Sequence, residues 1–132
     1  MISRRNKYHA KASPKGMPGY ISSLNGPLPT ASKAEALFYA QLDQLWLAGH
    51  VLWWVPQVSF TVGSDDTGRK RVIYRCDALV HTESGETMAL DRKGMDTPTS
   101  RAKRAAVRSR YGIRVEAVYG HPLESLQPVG TS

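Results

Sequence analysis

The sequence predicts an α/β (α+β) fold, a mixed central sheet flanked by helices in the order helix, three strands, helix, strand. Three observations carry that expectation. Residues 32–48 and 98–111 show helical signals with capping residues at both ends. Between them lie alternating β-former runs, separated by a polar loop and a glycine turn. A last alternating run follows the second helix, and a helical crossover can return it parallel to its sheet neighbour.

Residues 1–30 read as a basic, flexible N-terminal arm. Arg4, Arg5, Lys7, Lys11 and Lys15 precede Gly16, Pro18, Gly19, Gly26, Pro27 and Pro29, and few large apolar residues are present to order the stretch. Such an arm either lies along nucleic acid, with Lys7 and Lys11 on phosphates, or stays solvated. Residues 31–120 make the core domain. Residues 121–132, with Pro122, Pro128 and Gly130, make an irregular tail.

The first helix opens at Thr30 or Ser32, where Ser32-Lys33-Ala34-Glu35 has a capping-box spacing, and stops at Gly49. Ala34, Phe38, Leu42, Leu45 and Trp46 form its apolar stripe. Glu35 falls on that stripe, either as a cap at the solvent edge or as a carboxylate aimed inward. Residues 51–62 are the first strand, which Pro56 marks as an edge, a bend or a bulge. Trp53 and Trp54 point to opposite faces, so one can be core while the other is exposed or covered by a second copy in a homodimer. Residues 63–70 are a polar loop. The second strand, residues 71–82, holds Cys76 as a small core residue, and the third covers residues 86–94. Thr97-Pro98 opens the second helix. On it Arg101, Arg104 and Arg108 recur at helical spacing with Lys103 and Arg110 beside them, while Ala102, Ala105, Ala106 and Ser109 form a small-residue face suited to lie against a sheet. Residues 113–119 are the final strand.

The loop at residues 83–85 decides what one sheet face carries. A three-residue hairpin loop commonly needs a left-handed residue at its third position, which Gly85 supplies without steric cost. With Thr82 paired to Glu86, Asp77 faces Asp91 across the ladder and Lys93 lies on the same face. A two-residue loop would throw the two acids to opposite faces. Carboxylates about 5 Å apart repel. Either one is protonated, or Lys93 neutralises one in an ordinary ion-paired patch, or a divalent cation sits between them. In the last case Lys93 can orient a water or meet a phosphoryl oxygen.

At 132 residues the chain is one domain, large enough for a core without a metal or disulfide staple. Its 18 Lys and Arg against 11 Asp and Glu give a formal charge of +7, which favours a polyanionic partner, nucleic acid above all. A single cysteine excludes an intramolecular disulfide and suits a reducing compartment. No apolar run reaches the length of a membrane span, so a cytoplasmic protein without a membrane partner is expected.

A helix carrying Glu35, then Asp77 in the second strand, Asp91-Arg92-Lys93 in the third, a basic helix and a strand resemble the PD-(D/E)XK nuclease superfamily. Asn6-Lys7-Tyr8-His9-Ala10-Lys11, Ser32-Lys33-Ala34-Glu35-Ala36, Asp77 and Leu90-Asp91-Arg92-Lys93-Gly94 are further similar to a small phage and prophage family within it, a domain of unknown function. The likeness spans residues 6–119. It implies a restriction-endonuclease-like αβββαβ core and Mg²⁺- or Mn²⁺-dependent hydrolysis of DNA phosphodiesters in phage DNA metabolism, in the bacterial host cytoplasm. It further implies Asp77 and Asp91 as metal ligands, with the Arg92 backbone carbonyl as an extra one, and Glu35 holding a second metal or a metal-bound water. Lys93 would orient the attacking water, and Lys103 or Arg101 would contact the scissile region. The chain departs from the pattern at Cys76, where a proline often precedes the acid. It departs again at Arg92, where an apolar residue is usual and whose face must therefore be partly open or near DNA.

A sequence-reading module is not evident, which favours structure-selective cutting of branched, nicked or end-bearing DNA, including Holliday junctions. The alternative is a non-catalytic double-stranded nucleic-acid-binding module, which keeps RNA beside DNA as a partner. Helix, three antiparallel strands and a basic helix is also the order of a double-stranded-RNA-binding domain. That order leaves the facing acids unexplained and has no use for the strand after Gly112.

Overall fold

A computed structural model describes residues 17–92 and 96–126. Lys7, Lys11 and Lys93 therefore lie outside the described residues, as does Gly94. The helices begin and end where their caps direct. Helix α1 (Lys33–Leu47) is capped by the Ser32 side chain, which accepts the Glu35 N–H. Helix α2 (Pro98–Tyr111) is capped by Thr97 and ends on Gly112 in the left-handed region.

The first two expected strands are each broken in two. Residues 51–62 become β3 (Val51–Pro56) and β4 (Ser59–Ser64), while residues 71–82 become β5 (Arg71–Arg75) and β6 (Ala78–Thr82). The breaks face each other and are bonded together: Gln57 N–H donates to the Asp77 carbonyl and Cys76 N–H to that of Val58, both at 2.9 Å. Pro56 has no N–H to donate and Gln57 sits at φ 53°, so the strand turns sharply there. The inner halves join β7 (Thr87–Arg92) and β8 (Arg114–Val118) in a four-stranded sheet ordered β3-β6-β7-β8. Strands β7 and β8 run parallel and the other pairs antiparallel, giving the mixed sheet expected of an α/β chain. The outer halves, β4 and β5, bend away as a separate antiparallel hairpin.

Helix α1 covers one face, burying Phe38, Tyr39, Leu42 and Leu45 against Trp54, Val80, Met88, Leu90 and Val118. The other face packs Cys76 and Ala89 with Phe60, Tyr74 and Val107, under α2 and the β4–β5 hairpin. Trp54 is buried and stacks on Tyr39, whereas Trp53 is partly exposed on edge strand β3 and stacks on His81. Two details of the expected helix faces change. Ala34 is exposed while Tyr39 and Asp43 are buried. Helix α2 packs through Val107, its one branched aliphatic residue, and Ala102, Ala105 and Ser109 stay exposed. Tyr111 at its end contacts Phe60 and donates to the Thr61 carbonyl at 2.8 Å, which ties the bent-out hairpin down.

The stretch read as an arm carries structure from residue 20 onward. Strands β1 (Tyr20–Ser22) and β2 (Gly26–Leu28) pair as a small hairpin, and Asp43 docks it. That carboxylate is 3% exposed. It accepts hydrogen bonds from the Tyr20 hydroxyl (2.5 Å), Ser22 Oγ (2.9 Å), Ser23 N–H (2.8 Å) and Trp54 Nε1 (3.1 Å). In the expected tail, a 3₁₀ turn (Pro122–Leu126) seats Leu126 in the α1-side core. No described helix is long and apolar enough to cross a membrane.

Replacing Asp43 by Ala leaves these donors without their acceptor and should cost about 3 kcal/mol in urea unfolding. A loss below about 0.5 kcal/mol would mean that the carboxylate is not what holds the hairpin.

Candidate metal centre

The site forms where the strand breaks meet the end of β7. Gly85 adopts φ 91°, its N–H donates to the Thr82 carbonyl, and Thr82 N–H donates to that of Glu86 at 2.8 Å. The ladder then runs His81↔Thr87, Val80↔Met88, Leu79↔Ala89 and Ala78↔Leu90. One step further, Asp77 N–H donates to the Leu90 carbonyl at 3.0 Å. Asp77 and Asp91 thus lie side by side, their carboxyl groups within hydrogen-bonding reach of each other.

Each acid is fixed by a further bond. Asp77 Oδ2 accepts the Arg92 N–H at 2.6 Å, and Asp91 Oδ2 accepts the Tyr74 hydroxyl at 2.5 Å. Burial pushes the Asp77 carboxyl up from 3.8 to about 6. The Asp91 charge and hydrogen bond add to that rise, and the Arg92 N–H opposes it. Tyr74 is raised too, first by burial and then by Asp91. Burial holds the neighbouring Cys76 thiol up at about 11, so it stays protonated and inert.

Glu35 reaches the same corner without joining the pair. Its Oε1 accepts the Ala31 N–H at 2.9 Å, closing the helix terminus one residue earlier than a standard capping box. Its Oε2 accepts from Gln57 Nε2 at 3.3 Å, and that amide also donates to the Tyr39 hydroxyl at 3.3 Å. The Tyr39 hydroxyl is raised, chiefly by burial, with Glu35 and Asp77 adding to it. Glu35 thus closes the start of α1 and also accepts from Gln57, whose backbone N–H bonds the Asp77 carbonyl. Gln57 went unremarked in the sequence, although Pro56 before it marked the bend. Among the described residues no three His, Cys, Asp or Glu side chains gather as a metal cluster. Two carboxylates are nonetheless within the sparse protein donor set that Mg²⁺ accepts, with waters and substrate phosphates completing it. Asp77 holds its proton more tightly than usual chiefly because it is buried, and the Asp91 charge beside it adds to the effect.

The basic side chains of α2 divide. Arg104 and Arg101 both pair with Asp96, the latter at 3.3 Å. Arg104 lines a cleft of about 230 Å³ with Asp91, Asp96, Val115, Ala117 and Tyr119. Lys103 instead turns toward β4 and β5, lining a groove with Val62 and Val72. Arg108 is exposed, and its charge acts on Glu86 at the hairpin end of the sheet. Helical spacing had grouped Arg101, Arg104 and Arg108 on one face. Only the first two share the end of the sheet that carries the acids, because α2 runs away from it.

Because the folded protein holds the Asp77 proton more tightly than the unfolded chain, this contribution to stability is full below the ordinary carboxylate range and is lost as pH rises through about 6. In EDTA, Asp77→Asn should lack that decline, so its Tm relative to wild type should climb between about pH 4 and 7. A constant Tm difference across that interval would show that Asp77 does not titrate this way.

No protein-family model, curated protein or solved structure matches the chain. A functional reading therefore stands on the acid pair and the elements that position it.

Proposed function

We propose that the chain is a metal-dependent deoxyribonuclease of the PD-(D/E)XK type, selective for DNA structure rather than sequence. The observation that carries this reading is the apposition of Asp77 and Asp91 on a sheet of αβββαβ order. A double-stranded-RNA-binding arrangement would leave both the pair and the parallel strand β8 without a purpose.

Bound Mg²⁺ or Mn²⁺ would supply Lewis-acid stabilisation of charge at the scissile phosphate. Asp77 and Asp91, with the Arg92 carbonyl, would hold it. The Tyr74 hydroxyl and the Arg92 N–H fix the two carboxylate rotamers, so little reorganisation is left for the moment of reaction. Glu35, tied to the pair through Gln57, takes a water at the rim. Lys93, two residues beyond Asp91 in sequence, orients the attacking water and meets a phosphoryl oxygen. Arg101 and Arg104 hold neighbouring backbone phosphates, which compete with Asp96 for the guanidinium groups. Branched DNA, four-way junctions included, is the substrate class this reading names first. Exposed Leu52, Trp53 and Val55 along edge strand β3 offer a seam for a homodimer.

Incubation with linear, nicked, flapped and four-way DNA should give cleavage of at least one substrate with Mg²⁺ or Mn²⁺ and none in EDTA. Asp91→Asn and Lys93→Ala should each lower the cleavage rate about a hundredfold or more while binding in EDTA persists. Wild-type rates in either variant would remove that residue from the mechanism.

Replacing Arg101 and Arg104 together by Ala should weaken DNA binding and reduce its logarithmic salt slope by about 2. Asp96→Asn should do the reverse by freeing both side chains. An unchanged slope in the double variant would put the phosphate contacts elsewhere.

A further inference from the structure

A groove lies across the strand end that carries the acids. Alternation along β7 turns Arg92 to the α1 side of the sheet, opposite Asp91. There Arg92 lines an open groove of about 390 Å³ with Leu37, Phe38, Gln41, Tyr119 and His121. Arg92 forms no ion pair with a carboxylate among the described residues. Tyr119 is 77% exposed, and it lines both this groove and the Asp91 cleft. An uncovered aromatic ring beside a guanidinium and an imidazole suits a flat ring flanked by negative charge. A base can stack on the Tyr face while its phosphate meets Arg92.

We propose that this groove holds an unpaired nucleotide of single-stranded DNA, with its base on Tyr119 and its phosphate on Arg92. Because Arg92 adjoins Asp91 in the chain, that nucleotide lies next to the phosphate presented to the acid pair. The inference rests on the nuclease reading for that neighbouring phosphate and names its substrate class: DNA with a single-stranded segment beside the bond to be cut, such as a flap or splayed branch. Intact duplex keeps its bases stacked on one another and offers none to the ring.

The test is fluorescence anisotropy in EDTA with the full chain, using a labelled duplex bearing a single-stranded flap and the same duplex with blunt ends. Wild type should bind the flapped DNA more tightly. Tyr119→Ala should lose about tenfold in affinity for the flap while changing blunt-duplex binding less than about twofold, and Tyr119→Phe should retain the preference. Equal losses on both probes, or no wild-type preference for the flap, would overturn the assignment. Cleavage assays with Mg²⁺ separate it from the nuclease reading. A Tyr119-dependent flap preference without cleavage sinks the nuclease and keeps the groove. Cleavage with no role for Tyr119 does the opposite.

Discussion

Two carboxylates held side by side repel each other, and the fold nonetheless maintains them through a set of specific bonds. Gly85 sets the register that makes Asp77 and Asp91 neighbours. The Leu90 carbonyl anchors one backbone, while the Arg92 N–H and the Tyr74 hydroxyl aim the side chains. Burial then makes the repulsion felt, because fewer waters screen it. Such an arrangement costs the fold stability wherever both groups are ionised.

The paired breaks at Gln57 and Asp77 set where the two acids stand. A continuous strand would run residues 71–82 straight across the sheet and carry the β4–β5 hairpin with it. The bend instead lifts the hairpin clear and leaves Asp77 at a corner. Gln57 is held at a positive φ that a side-chain-bearing residue adopts only when its surroundings insist, and its amide links Glu35 to Tyr39.

Much of this was legible beforehand. Ser32, Thr97 and Gly112 announced the helix limits, Gly85 the register, and Phe38, Leu42 and Leu45 the buried line of α1. The breaks were not, because Val58, Phe60 and Val62 keep alternating beyond Pro56. Alternation reports which side of a strand is apolar, not which sheet it joins. The hairpin at residues 20–28 was hidden for a related reason. Its strands are too short to stand alone, and they are fixed by Asp43, a charged residue whose hydrogen-bond partners lie far off in sequence. The spread of the α2 arginines along the sheet was not legible either: helical spacing gives a common side but not proximity to one point.

Asp91 and the tyrosine that orients it belong to different pieces of the structure. Asp91 stands on the four-stranded sheet, whereas Tyr74 rides on the hairpin that bends away from it. The aim of that carboxylate is therefore only as steady as the mooring of the hairpin, to which the Tyr111–Phe60 contact and the Tyr111 bond to Thr61 contribute. Loosening that mooring would blur the direction of a carboxylate oxygen while leaving every acidic residue in the chain untouched.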